Sequence, residues 1–488
     1  MSRQHVEHDD RAGRATDGQS LAADTFMQDP RVVQARQLIR EALLVHQSKM
    51  TTVRQTDPLR QADYDAMLET FASLRGGGLY YPYLGSGFGN GCLVELADGS
   101  VKYDFITGIG PHGWGHCHPD VVDACVVASC RDTVMQGNLQ QTVESMHVSA
   151  ALTEAACAKG AQLAHCFLTS SGAMANENAL KLVFANKAPA DRLLAFEHGF
   201  AGRTLALASV TDNPAYRRGL PTTLKVDYVP FYDAADPDAS TDRALRLATH
   251  YLARYPGQYA GMVMELVQGE SGYYPGSRAF FEALIDLLHE HGVAVIFDEI
   301  QTFGRTSERF AFQHFGLDKH ADVVTIGKLS QVCATLFTDA FKPAPGLISQ
   351  TFTASSTAIA AARVILHQLS TGDFYGPGGR LTQLHEHFAN RLHHLSERYP
   401  GWVTGPFGIG AMIALTPFDG RPEQAKALLQ ALFKNGVMAF VAGAAPTRIR
   451  FLMPLGVVTE ADIDAVCRIF ETTLIEVADA VEATTPHE

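Results

Sequence analysis

Val293-Ala-Val-Ile-Phe297 runs into Asp298, and thirty residues later Val323-Val-Thr-Ile-Gly runs into Lys328. Both are short, unbroken, β-rich apolar runs that end on a charged side chain. Similar runs occur at His165 to Leu168, Leu193 to Phe196 and Gly261 to Glu265. Helical stretches lie between them, notably Ala175 to Phe184 and Arg278 to His289. Strands buried on both faces and joined by helical crossovers make a mainly parallel sheet of the α/β class. This pattern sets a large domain at residues 110–375.

Beyond it, residues 376–488 mix amphipathic helices with strands at Ala411 to Leu415 and Arg448 to Phe451, which reads as a smaller α+β domain. Residues 31–109 are expected to pack with it, so that both chain ends build one unit. There an apolar period near 3.6 marks helices from Val32 to Leu44 and Asp63 to Leu74. Asp98-Gly99, between two alternating runs, signals a hairpin. Residues 1–30, rich in Asp, Gly, Arg and Gln with little periodicity, read as a flexible tail.

Bulk properties narrow the function. The chain sets 39 Lys and Arg against 52 Asp and Glu, a formal charge of -13, which argues against a nucleic acid or an anionic membrane as partner. A few arginines in a cleft can still hold an anion. The eight cysteines form no Cys-x-x-Cys pair, so neither a zinc ribbon nor a redox motif is indicated. Scattered thiols fit a reducing cytosol. The first thirty residues lack the apolar stretch of a secretory signal, and runs such as Val293 to Phe297 are too short to cross a bilayer. A cytoplasmic protein is expected.

In open α/β sheets the ligand crevice lies beyond the carboxyl ends of the strands. An Asp and a Lys there can address two parts of one cofactor. A carboxylate against a pyridine nitrogen keeps that ring protonated and makes it an electron sink, while an amine on the other side can form an imine with an aldehyde. By position alone the plainer reading is a helix cap for Asp298 and a surface lysine for Lys328; further motifs overturn it. Phe167-Leu-Thr-Ser-Ser-Gly-Ala-Met-Ala-Asn-Glu-Asn-Ala-Leu-Lys181 is a strand ending in small residues, followed by strong helix formers. Backbone N–H groups at such a helix start favour phosphate, although Ser-Gly there is often only a cap.

With these residues in view, the chain resembles the class III (ω-amino acid) aminotransferases, enzymes of fold type I that use pyridoxal 5'-phosphate (PLP). Ser171-Gly172-Ala173 through Lys181 resembles the family's phosphate loop, and Phe200-Ala-Gly-Arg203-Thr its aromatic-His-Gly-Arg-Thr block. Glu265-Leu-Val-Gln-Gly-Glu270-Ser-Gly resembles Glu-Pro-Val-Gln-Gly-Glu-Gly-Gly, and Asp298-Glu-Ile-Gln301-Thr-Phe-Gly-Arg-Thr resembles Asp-Glu-Val-Gln-Thr-Gly-Phe-Gly-Arg-Thr. Gly115-His116-Cys-His118-Pro and Arg450-Phe-Leu-Met-Pro-Leu match further blocks. The likeness covers about 90 to 480 in the family's order.

The resemblance implies roles. Lys328 would hold PLP as a Schiff base and shuttle the proton during transfer. Asp298 would pair with the ring nitrogen, Gln301 would sit near the ring hydroxyl, and Phe200 would stack on the ring face. Ser171, Gly172 and Ala173 would cradle the phosphate. Thr351 would reach a phosphate in the neighbouring subunit, which implies a homodimer with active sites at its interface. Arg203 and Arg450 would hold substrate carboxylates, and Glu270 would mask Arg450 when an ω-amino substrate binds. The implied activity is amino transfer from an ω-amino or diamino acid to a 2-oxo acid, 2-oxoglutarate being expected. A PLP aminomutase, racemase or decarboxylase, or a silent PLP-binding protein, shares the same blocks.

Other readings stay open for single residues: Phe200 as core, Gln301 as a turn cap, Glu270 with Arg450 as an ordinary ion pair. His116-x-His118 has no third ligand nearby and reads as a loop, so no metal site is expected. The chain also departs from the family's pattern. Met174 stands where Glu is usual and Ala201 where His or Trp is usual, one Gly is missing before Phe303, and Thr353-Ala-Ser-Ser356 replaces Gly-Gly-Asn-Pro. Lys328-Leu-Ser-Gln-Val-Cys is similar to the lysine 6-aminotransferase branch, but one hexapeptide decides no substrate.

Overall fold

The computed structural model describes residues 20–135 and 137–484. At its centre a seven-stranded sheet runs in the order His165–Thr169, Cys333–Phe337, Val323–Ile326, Ala294–Glu299, Tyr259–Met264, Arg192–Phe196, Lys225–Val229. All neighbours pair in parallel except Cys333–Phe337, which is antiparallel to both of its partners. The strands are apolar throughout because both faces are covered. Leu193, Ala195, Ala294 and Ile296 enter one core with helix Gly172–Asn186. Leu194, Phe196, Val295 and Phe297 enter a larger core with helix Arg278–Glu290. Side chains alternate across a strand, so the chain fills two cores from one run of residues.

The carboxyl ends of the six mutually parallel strands share one edge of this sheet. Thr169, Phe196, Met264, Glu299 and Ile326 all end there. Helix Gly172–Asn186 starts at the same edge, capped by the Ser171 hydroxyl, which accepts from Met174 N at 3.2 Å. Gly172 is required by space, since a Cβ on it would lie 2.8 Å from the Ile300 side chain.

Two further sheets stand beside this edge. Val403–Ile409, Met412–Pro417, Arg448–Leu452 and Phe440–Ala442 form an antiparallel one. In the other, the Leu93–Leu96 and Val101–Asp104 hairpin turns through Gly99 at φ 81°, as its Asp-Gly signal requires. Val437–Met438 adds to that hairpin in parallel, with Tyr103 N donating to Gly436 O at 2.8 Å and Phe105 N to Met438 O at 3.0 Å. Tyr81 Oη closes the seam on Ala439 O at 2.7 Å.

The expected tail needs correction. Residues 1–19 lie outside the described residues, but Ala22–Met27 is a helix and Pro30–Gln47 begins another. Asp29 caps the second helix by accepting from Arg31 N at 2.9 Å, with Pro30 in its first turn. The helix then docks through Arg36 on Asp123 and Arg40 on Asp120, at 2.7 and 2.8 Å. Ala22–Met27 buries no residue, so it has no apolar period for a sequence reading to find. Among the described residues no helix is long and apolar enough to cross a membrane.

Candidate active site

Asp298 and Thr325 are register neighbours on adjacent parallel strands. Asn176, from the facing helix, reaches both. Its Nδ2 donates to Asp298 Oδ2 and to Ala201 O, each at 2.7 Å, and its Oδ1 accepts from Thr325 Oγ1 at 2.7 Å. Ile300 N donates to Asp298 Oδ1 at 3.0 Å. The Asp298 carboxyl is thus fixed from behind and nearly fully buried. Burial raises its pKa to about 6, against the pull of Asn176, the Ile300 N–H and the Lys328 charge. Such a carboxylate favours a protonated nitrogen arriving beside it.

Lys328 follows the next strand in a left-handed conformation, φ 54°, which is uncommon for a residue with a Cβ. Gln331, also left-handed, ties the following turn down by donating Nε2 to Pro111 O at 2.6 Å. The lysine stem lies against Gly110, where a Cβ would come within 3.2 Å of Lys328 Cδ and 2.9 Å of Arg305 Nη2. Burial lowers the Lys328 pKa to about 8. Glu270 and Asp298 oppose the shift, while Arg450 and Arg305 add to it. An amine in this state is closer to being a neutral nucleophile than a surface lysine is.

At the helix start, Ser171 already serves Met174 N through its hydroxyl and Ala175 N through its carbonyl. The N–H groups of Gly172 and Ala173 remain for an anion. Phe200 is held over this region by its own backbone, whose N–H donates to Glu265 Oε1 at 2.8 Å. Glu265 Oε2 accepts from Gly269 N at 3.2 Å. Burial, then the nearby Asp298 charge, push the Glu265 pKa up to about 8, and these two N–H groups restrain it. Gln301 is buried against Gly269, and its Oε1 has no hydrogen-bond partner among the described residues.

The remaining candidates meet around Glu270. Arg450 is fully buried and donates Nη1 to Gly269 O at 2.9 Å and Nη2 to Glu270 Oε1 at 2.8 Å. Burial works to raise the Glu270 pKa, but Arg450, with help from Lys328 and Arg203, holds it below the usual carboxylate range. Arg203 is exposed and stacks at 3.9 Å on the Tyr216 ring, which in turn meets Phe200 edge-on.

Lys328, Asp298, Gln301, Phe200, the Ser171–Ala173 turn, Glu270, Arg450 and Arg203 are therefore one connected group. Thr351 is not brought into it by the single chain: it lies exposed beside Phe352. His116 sits 3.0 Å from Asp104 Oδ2, and His118 caps helix Pro119–Ala128. Sequence reasoning gave no role to Asn176 or Glu265, although both stand inside the quoted motifs. Their signal was a polar residue on an otherwise apolar helix face, or directly at the end of an apolar strand.

The matched blocks and this geometry have a common source. The model of the class-III aminotransferase family matches residues 87–474, and the chain belongs to that family. An acetylornithine aminotransferase of Methanocaldococcus jannaschii is 29% identical over 412 residues, covering 80% of this chain and 93% of that protein. One from Corynebacterium efficiens is 31% identical over 398 residues, with 80% and 92% covered. Among solved structures, a lysine aminotransferase from M. tuberculosis superposes with a TM-score of 0.74 at 25% identity, covering 84% of this chain and 99% of that one. The protein is a PLP-dependent transaminase of fold type I. The residues present fit the cofactor: a buried carboxylate that forms no ion pair among the described residues, a lysine of lowered pKa, an orphaned acceptor on Gln301 and free N–H groups at a helix start.

Proposed function

We propose that this chain moves the terminal amino group of an ω-amino or diamino acid to 2-oxoglutarate. The observation that carries the reading is a fully buried Arg450 whose only carboxylate partner among the described residues, Glu270, has a side chain that is 28% exposed. PLP bound at Lys328 supplies the electron sink that makes the proton beside the reacting nitrogen removable. Asp298 keeps the ring nitrogen protonated, and Asn176 keeps Asp298 in place. Gly172 and Ala173 bind the phosphate through N–H groups, Gln301 Oε1 accepts from the ring hydroxyl, and Phe200 covers a ring face. The Lys328 amine, its pKa lowered by burial to about 8, would take the proton and return it one atom away.

A site with two half-reactions must hold a second carboxylate in only one of them. With an ω-amino donor bound, Glu270 neutralises Arg450, because an unpaired buried guanidinium is costly. With 2-oxoglutarate bound, a ligand carboxylate takes the place of Glu270, and Arg203 holds the other. The relatives' names support an ω-amine, since acetylornithine and lysine each carry an amine at the end remote from a carboxylate.

A homodimer completes the site in this reading, with Thr351 reaching the partner's phosphate. Val134, Leu139, Val143, Met146 and Phe352 are 39–84% exposed, and Val134–Met135 pairs with Ala354–Ser355 beside Thr351, which supports an apolar interface there. Eight free thiols support a reducing cytoplasm.

The test is a donor screen with 2-oxoglutarate, followed by single-turnover kinetics of each half-reaction in wild type and Glu270→Ala. The ω-amino half-reaction should weaken about tenfold or more, and the glutamate half-reaction should be spared or improved. Equal damage to both halves would make Glu270 structural.

A further inference from the structure

Arg450 is not the only arginine its strand presents to the Glu270 turn. Arg448, two residues earlier and on the same face, is 4% exposed. Among the described residues it has no carboxylate partner. Its guanidinium lies between two rings, 3.6 Å from Phe407 and 3.9 Å from Tyr274, and its Nη1 donates to Gly272 O at 2.7 Å. Among the described residues the Arg448 Nε has no hydrogen-bond partner. Burying a guanidinium without an anion is costly, and both of its faces are covered by rings. What Arg448 does reach is the far end of the turn that Arg450 holds at the near end.

The whole turn is held the same way. Gly269 N donates to Glu265 and Gly269 O accepts from Arg450. Glu270 O accepts from Gly443 N at 2.8 Å, and Ser271 Oγ donates to His198 O at 2.7 Å. Gly272, at φ 121°, leaves no room for a side chain, because a Cβ would lie 2.9 Å from Arg448 Cδ. Every residue from 269 to 272 is tied by a bond from outside the turn, and Arg448 supplies the last.

We propose that Arg448 is a specificity-positioning residue: by fixing Gly272 O it immobilises the turn, so that exchanging Glu270 for a ligand carboxylate on Arg450 is a motion of one side chain. This rests on the Glu270 switch. Without Arg448 the turn drifts, Glu270 no longer registers with Arg450, and discrimination between the two carboxylate patterns falls while the proton-transfer apparatus at Lys328 stays intact.

The experiment is a cycle of Arg448→Met, Glu270→Ala and the double variant as holoenzymes. Single-turnover kinetics are read with L-glutamate and with L-lysine, N-acetyl-L-ornithine and 4-aminobutyrate as donor probes. Arg448→Met should lower the ratio of donor to glutamate efficiency about tenfold, with the saturated glutamate rate within about twofold of wild type. In the Glu270→Ala background it should add nothing to the loss. Arg448→Lys, which keeps a donor for Gly272 O, should restore most of the ratio. Should Arg448→Met not retain cofactor, Arg448→Lys carries the comparison, with a smaller shift in the same direction. An unchanged ratio, an equal loss in both half-reactions, or a full additional loss without Glu270 overturns the proposal. If Glu270→Ala itself leaves the ratio unchanged, or no donor probe reacts with wild type, it is the switch that fails.

Discussion

Replacing Asn176 with Ala is the sharpest probe of how the cofactor site is held. The substitution deletes three hydrogen bonds from a residue that is 3% exposed. Those to Ala201 O and Thr325 Oγ1 join neutral groups and are worth about 1 kcal/mol each, whereas the bond to the Asp298 carboxylate is worth about 1.5–3 kcal/mol. Only this last one bears directly on the ring nitrogen. PLP affinity should therefore fall by about 10- to 150-fold, and global stability by roughly 3–5 kcal/mol. The effect also has a sign in pH. Asn176 is the foremost of the groups that favour ionised Asp298, so its loss moves that pKa above about 6. The binding defect should then grow as pH falls from about 8 to about 6, because a protonated Asp298 cannot hold the ring proton. Fluorescence titration of the cofactor-free chain with pyridoxal phosphate across that range gives the measurement. In an Asp298→Asn background the same change should add little. Binding within threefold of wild type at every pH would refute the coupling of Asn176 to Asp298.

Borohydride reduction of the holoenzyme should trap the cofactor on the Lys328 peptide, and Lys328→Ala should lose turnover; label on another lysine, or normal turnover by the variant, defeats the assignment. Because burial brings the Lys328 pKa down from 10.5 to about 8, its neutral amine appears above about 8. The rate of covalent cofactor capture by the apo-chain, followed by absorbance, should thus rise with pH and level off past that value; an inflection near 10.5 would show that the amine is not desolvated.

The positions of Asp298 and Lys328 were legible because a strand covered on both faces is an unbroken apolar run, and its first charged residue marks the open edge. Cys333–Phe337 was not read as a strand. It begins five residues after Lys328, and nothing in so short a connection announces an antiparallel return. Asn176, Glu265 and Arg448 escaped for a common reason. A polar residue inside a helix or strand, or just past a strand's end, ordinarily marks a solvated position, and only the folded chain shows that Thr325, Phe200 N–H and Gly272 O are what these three meet. Thr351 is the opposite case: its family position is plain in sequence, while the single chain gives it no neighbour in the site.

The parallel pairing of Val437–Met438 with Val101–Asp104 has a consequence for biosynthesis. At about 5–20 residues per second, roughly 17–67 s separate the emergence of Asp104 from that of Met438, the residue beside it. Arg54 pairs early with Val101 on that edge of the hairpin, but throughout the interval the Tyr103 end of the edge waits unmatched, while the whole seven-stranded sheet is made after it. Long-range partners of this kind fold late, so the nascent amino-terminal hairpin depends on protection from aggregation until they arrive. A premature stop before Gly436 would leave the Tyr103 end of that edge uncovered for good.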